Sequence, residues 1–85
     1  MTYEISFSKK AKKELFALPA QTIERIVSAI GDLAENPRPR GCKKLEASEK
    51  YRIAVGDYRI IYDIADKIRI VTIIKIGHRK EVYRD

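Results

Sequence analysis

The chain has 85 residues, 45% apolar and 35% charged, which suits a single domain over residues 1–85 and is too rich in Ile, Val, Leu and Tyr for a disordered tail. Its longest uncharged stretch is nine residues, Leu15 to Ile23, with Pro19 inside it, whereas a membrane helix needs about 20 apolar residues. The formal charge of +6 lies wholly in residues 37–85, where thirteen basic groups outnumber seven acidic ones, while residues 1–36 carry five of each; the second part is where a polyanion would dock.

Residues 2–7 alternate, with Tyr3, Ile5 and Phe7 on one side and Thr2, Glu4 and Ser6 on the other, the pattern of a half-buried strand. Ser8 stands where a helix N-cap belongs, and Ala11, Leu15 and Leu18 follow at helical spacing. Pro19 ends that helix and opens the next, whose apolar stripe is Ile23, Ile26, Val27, Ile30 and Leu33. Asn36-Pro37-Arg38-Pro39-Arg40-Gly41 stops it. Beyond Lys43 the period becomes alternating: Tyr51, Ile53 and Val55, then a Gly56-Asp57 turn with glycine first as a type II′ hairpin requires, then Tyr58, Ile60, Tyr62 and Ile64. Asp66-Lys67 is a second turn candidate, and Ile68 to Ile76 is apolar on nearly both sides, an interior strand. The order β-α-α-β-β-β predicts an α+β fold, a mostly antiparallel four-stranded sheet with two N-terminal helices packed on one face.

A loop at Gly56-Asp57 pairs Val55 with Tyr58, Ala54 with Arg59, Ile53 with Ile60 and Arg52 with Ile61. Tyr51, Ile53, Val55, Tyr58, Ile60 and Tyr62 then share a helix-facing side, and Lys50, Arg52, Ala54, Arg59, Ile61 and Asp63 share the other. Arg52 and Arg59 come into diagonal proximity there, where two guanidinium groups can hold one phosphate; the plainer alternative is solvated arginines paired with Asp57 or Asp63. After the interior strand, Gly77-His78-Arg79-Lys80-Glu81-Val82-Tyr83 packs an imidazole, cations and a phenol together. His78 carries the imidazole, the side-chain type suited to proton exchange, and is a proton-transfer candidate, or else a surface residue satisfied by backbone. Tyr83 suits stacking on a base, or else pins the last residues onto the sheet.

Gly56-Asp57 with Tyr58-Arg59-Ile60-Ile61-Tyr62, and Ile76-Gly77-His78-Arg79-Lys80-Glu81-Val82-Tyr83, resemble the two signature segments of the RelE/ParE toxin superfamily. Asn36-Pro37, Lys44-Leu45, the element order and the length resemble it too, and the Gly-His-Arg-x-x-Val-Tyr ending points to the RelE branch. The resemblance implies a toxin of a type II toxin–antitoxin pair that enters the ribosomal 30S A site and cuts mRNA. Metal-independent cleavage uses the 2′-hydroxyl as nucleophile and leaves a 2′,3′-cyclic phosphate and a 5′-hydroxyl. It needs a base, cations for the phosphorane and an acid for the leaving oxygen.

By resemblance Arg59 is the transition-state arginine, Arg79 neutralises the phosphate and serves the leaving oxygen, and Tyr83 orients the cut nucleotide. Arg52 falls where some relatives have a catalytic lysine. Ala54 replaces a second lysine of the best-known type of site, and an arginine at 52 is a poor base, so the base is unassigned, with Lys50 and His78 as candidates. No metal-ligand spacing is present and no cofactor is expected.

Arg38, Arg40, Lys43 and Lys44, with Lys80, are candidate contacts to RNA and ribosome; Lys9, Lys10, Lys12 and Lys13 form a further basic cluster, and either cluster is otherwise ordinary solvated charge. The implied partner is a RelB-like antitoxin, acidic and partly disordered, through which the complex would bind operator DNA. The opening Met-Thr-Tyr-Glu-Ile lacks the features of a signal peptide, and the single Cys42 can form no internal disulfide, so a cytoplasmic location without membrane contact is expected. Two other readings fit the same fold: a ParE-like inhibitor of DNA gyrase, and a catalytically lapsed module that only binds antitoxin and regulates its operator.

Overall fold

A computed structural model describes residues 2–46 and 48–83. Its elements are β1 (Glu4–Phe7), α1 (Lys9–Phe16), α2 (Ala20–Glu35), β2 (Lys43–Lys44), β3 (Tyr51–Val55), β4 (Tyr58–Ala65) and β5 (Ile70–His78). The sheet order is β1-β5-β4-β3-β2, with β1 parallel to β5 and every other pair antiparallel. The expected α+β class and element order hold, and the sheet has one strand more than expected. β2 is that strand, Lys43 pairing with Arg52 and Lys44 with Tyr51. Two consecutive lysines carry no apolar alternation to reveal a strand, yet they suit an exposed edge, where charge discourages further pairing.

Ser8 caps α1 as expected, its Oγ accepting from the Ala11 N–H at 3.0 Å, and the same hydroxyl donates to the Ile74 carbonyl at 2.8 Å. That second bond ties α1 to β5. β1 covers the β5 edge only from Ile70 to Ile73. Above it α1 takes over, Glu14 Oε1 accepting from the Ile76 N–H at 2.9 Å, so the exposed backbone donor is satisfied. Both helices pack on one face. Ala11 and Leu15 of α1 and Ile26, Ile30 and Leu33 of α2 share a core with Ile53, Ile60, Tyr62, Val71, Ile73 and Ile76.

Three expectations of detail change. Val27 is exposed, because it sits at the border of the α2 stripe rather than its centre. β1 begins at Glu4, and β5 begins at Ile70 rather than Ile68. Ile68 belongs to the turn before β5, which also contains Arg69 in the left-handed region at φ 56°, and it is 68% exposed. The Gly56-Asp57 hairpin has the expected register from Val55–Tyr58 to Arg52–Ile61. Gly56 carries φ 59° and Asp57 no positive φ, as a type II′ turn requires.

A β-bulge at Ile74 decides which side chains reach the open face. Ile61 pairs with Lys75 but Tyr62 pairs with Ile73, leaving Ile74 as the extra residue. Without it, Ile73 and Lys75 would lie on the same face, because side chains alternate with period 2. With it, Ile73 is fully buried in the helix-side core while Lys75 faces the opposite way.

Candidate active site

The face of the sheet away from the helices carries two cross-strand rows. Lys43, Arg52, Ile61 and Lys75 form one, and Ala54, Arg59 and Gly77 form the next. The chain folds back over the sheet at Gly77, where a Cβ would lie 3.5 Å from the Cβ of Val82, an ordinary van der Waals contact. The reversal is held by the Glu81 and Val82 N–H groups, which donate to the His78 carbonyl at 2.8 and 2.9 Å, and by Val82, which is 1% exposed. Tyr83 is thereby brought to the open face, 54% exposed, beside Ile61 and Lys50.

Arg59 and Arg79 meet at the hairpin turn. Arg59 donates from one guanidinium nitrogen to the Gly56 and Tyr58 carbonyls at 3.1 and 3.0 Å. The Arg79 N–H donates to the Asp57 carbonyl at 2.8 Å, and its Nε lies 4.0 Å from Asp57 Oδ1, a loose and exposed ion pair. Two guanidinium groups therefore flank one turn. Arg52 is diagonal to Arg59, about 7–8 Å away at the backbone, but the Arg59 head curls toward the turn rather than toward Arg52.

Other candidates lie elsewhere. His78 pairs with Tyr58 on the helix-side face, rings edge-on at 5.9 Å, and its Nδ1 accepts from the Lys80 N–H at 3.2 Å. It is thus turned away from Arg59 and satisfied by backbone. Lys43 shares the open face through its pairing with Arg52, whereas Lys44 follows Tyr51 to the other face and lies 3.3 Å from Glu49. Arg40 is exposed in the connection before β2, and Lys80 in the C-terminal turn.

Arg38 is at the far end of the sheet, paired bidentately with Asp66 at 2.9 and 3.2 Å and lying 5.2 Å over the Tyr51 ring. That pairing, followed by a hydrogen bond from the Tyr3 hydroxyl at 2.7 Å, holds the Asp66 carboxyl below its usual range. The bond to Asp66 in turn raises the Tyr3 phenol, and burial, more than the neighbouring Cys42, raises that of Tyr62. Among the described residues no group of three His, Cys, Asp or Glu side chains is placed to hold a metal ion, and no helix is long and apolar enough to cross a membrane.

Two further lysines join the site: Lys75, which the sequence did not single out, and Lys10, one member of the basic cluster on α1. Lys10 from α1 and Lys75 from β5 border a cavity of about 330 Å³ that Lys50 and Tyr83 also line. Their signals in the sequence are faint: Lys75 is the one charge late in an apolar run, and Lys10 is one of four lysines on a short helix.

A family model described as the ParE toxin of the type II toxin-antitoxin system, parDE, matches residues 5–83. The chain is 31% identical over 86 residues to Toxin RelG of Mycobacterium tuberculosis, with 99% of each covered. It is 28% identical over 89 residues to the mRNA interferase toxin RelE of Escherichia coli K12, covering 100% of this chain and 94% of that one. It superposes with a TM-score of 0.84 and 32% identity on a chain of the archaeal RelE-RelB complex from Pyrococcus horikoshii OT3, covering 96% of this chain and 100% of that one. With the model spanning nearly every residue and the relatives agreeing in size and architecture, the chain belongs to the ParE toxin family of type II toxin–antitoxin systems, on its RelE branch.

Proposed function

We propose that this toxin is a ribosome-dependent endoribonuclease that cuts mRNA in the 30S A site without a metal ion. The observation that carries the reading is the convergence of Arg59 and Arg79 on one turn, with Tyr83 folded onto the same open face. In the reaction the 2′-oxygen bonds to the adjacent phosphorus as its proton leaves to a base. The bond from phosphorus to the 5′-oxygen then breaks, and that oxygen takes up a proton. Arg59 and Arg79 neutralise the phosphorane, whose extra charge is what distinguishes transition state from substrate. Their resting bonds are to two carbonyls and a loose carboxylate, so both can be surrendered to phosphate. Tyr83 stacks on the nucleotide and Arg52 adds charge along the row.

Of the two proton-transfer candidates, Lys50 borders the Tyr83 cavity, whereas His78 faces the helices. Lys50 is the better placed base, and His78 acts by starting the C-terminal turn. Arg40, Lys43, Lys44 and Lys80 contact ribosomal or messenger phosphates; Arg38 contributes less, being committed to Asp66. The relative from Pyrococcus was solved with RelB, and an acidic RelB-like antitoxin, with operator DNA bound through it, is the partner this basic chain would take in the cytoplasm.

Primer extension on an mRNA incubated with and without ribosomes, beside an Arg79→Ala control, tests the reading. In-frame cuts that need both ribosomes and Arg79 support it, and no cuts in any lane refute it. Gyrase inhibition is the second reading, favoured by Ala54 and by a family model named for ParE. On induced expression it would give filamentation and DNA damage rather than a fall in protein synthesis.

A further inference from the structure

The geometry points to Lys75 and Lys10 as ligands of an RNA backbone phosphate beside the cut, a cation pair that stands in for the lysine missing at Ala54. The inference deepens the nuclease reading and rests on it for its biological meaning, though the phosphate site is testable by itself.

Three observations carry it. The bulge at Ile74 turns Lys75 to the open face, two residues after Ile73 is turned to the core. Bulges concentrate beside active sites because they re-aim a side chain in this way. Lys75 then stands in the row of Lys43 and Arg52, with Ile61 between, and is diagonal to Arg59 across the β4–β5 pair. It reaches toward Arg59 diagonally from β5, as Arg52 does from β3, while the residues directly opposite Arg59, Ala54 on β3 and Gly77 on β5, carry no charge.

Lys10 arrives from another element. The bonds of Ser8 and Glu14 hold α1 along the upper β5 edge, and Lys10, one turn before Glu14, is carried to the rim of the same cavity. That cavity, about 330 Å³, is bordered by Lys10, Lys50, Lys75 and Tyr83 over a floor of Ile61 and Val82, and no carboxylate is among its described lining residues. Three ammonium groups, a phenol ring and an apolar floor are the means by which proteins hold one nucleotide of single-stranded RNA: charge for phosphate, a ring for the base. The neighbouring cavity, about 290 Å³, also touches Lys10 and Lys75 but is bordered by Glu14 and Glu81. The phosphate therefore belongs on the Tyr83 side.

The test uses the whole chain and a hexanucleotide of RNA with every 2′-hydroxyl methylated, so that it binds without being cut. Its affinity is measured across a salt series starting at about 50 mM. Lys75→Met and Lys10→Met should each weaken binding roughly tenfold, and each should reduce the slope of log affinity against log salt by about 0.7. Lys75→Arg should restore the slope. Lys12→Met removes the same charge from about 200° round the helix and should change neither quantity. Lys10 is on an exposed helix surface, so its variant remains informative if Lys75→Met disturbs the bulge.

Unchanged affinity and slope in Lys10→Met and Lys75→Met would overturn the phosphate site, as would an equal loss in Lys12→Met. So would a wild-type chain that does not bind the hexanucleotide at all. The nuclease reading is judged separately by primer extension: binding that depends on Lys10 and Lys75 without any mRNA cuts would keep the site and refute the nuclease.

Discussion

Val82→Ala is the substitution that separates the site from the core. Val82 is 1% exposed but lies outside the helix-side core, and it packs against Gly77. Among the described residues, polar contacts of 79–83 with the strands and the hairpin turn run from the Arg79 N–H and Nε to Asp57, from the Lys80 N–H to His78 Nδ1, and from the Glu81 and Val82 N–H groups to the His78 carbonyl. Truncation removes two methyl groups, about 1.6 kcal/mol at ~0.8 kcal/mol per buried carbon. The space left behind brings the loss to about 2 kcal/mol, roughly a thirty-fold shift toward the undocked turn at 25 °C.

Amide hydrogen exchange reads this directly. The Glu81 and Val82 amides should exchange about thirty-fold faster, and mRNA cleavage should fall with them because Tyr83 leaves the open face. Gly77→Ala is the control, since its Cβ would make an ordinary contact at 3.5 Å, and it should leave exchange unchanged. A normally folded Val82→Ala chain whose Glu81 and Val82 amides exchange at the wild-type rate would refute the argument that Val82 docks the turn.

Tyr62→Phe removes a buried hydroxyl that donates to the Pro37 carbonyl at 2.8 Å and takes that donor from the carbonyl; a loss of about 1–3 kcal/mol is expected in urea unfolding. Asp66→Asn tests the far end of the sheet. The Asp66 carboxyl is held below its usual range by Arg38 first and Tyr3 second, so its stabilisation is complete above the ordinary carboxylate value of about 3.9 and is lost as pH falls through the lower folded value. The Tm gap between wild type and Asp66→Asn should be open at pH 7 and close in acid; a gap independent of pH would disprove the assignment. Gly56→Ala places a side chain at φ 59° and its Cβ 3.1 Å from the Arg25 guanidinium. A cost of about 1–2 kcal/mol should appear in thermal melts, together with reduced cleavage, because the turn also seats Arg59 and Arg79.

What the sequence disclosed follows the strength of local patterns. The hairpin was legible to the residue because Gly56-Asp57 is flanked by clean alternation, and Ser8 was legible as a cap because a polar residue precedes a helical period. Lys43–Lys44 and the bulge at Ile74 were not. A strand of two lysines has no apolar face, and a bulge inside an apolar run leaves the run apolar whichever residue is extra. That run concealed the most for function: read as a regular strand, it gives no reason for Lys75 to share a face with Arg52 and Arg59. Arg52 and Arg59 were legible as neighbours on one face, but backbone alternation says nothing of a guanidinium that bends back to Gly56.

Core and site use alternate residues of the same strands. Along β4, Arg59 and Ile61 face outward while Ile60 and Tyr62 are buried among the helices. A slip of one residue would exchange the two sets, burying a guanidinium and exposing the core. Register must therefore be fixed at least as firmly as the fold itself. The Gly56 turn fixes it between β3 and β4, and the Ile74 bulge corrects it between β4 and β5. Arg59 and Arg79 are bonded to that same turn, and Lys75 stands directly after that same bulge. The cationic groups are thus spaced by the devices that keep the core in phase, which is how α1, three strands and the C-terminal turn can present one charged surface without a dedicated active-site loop.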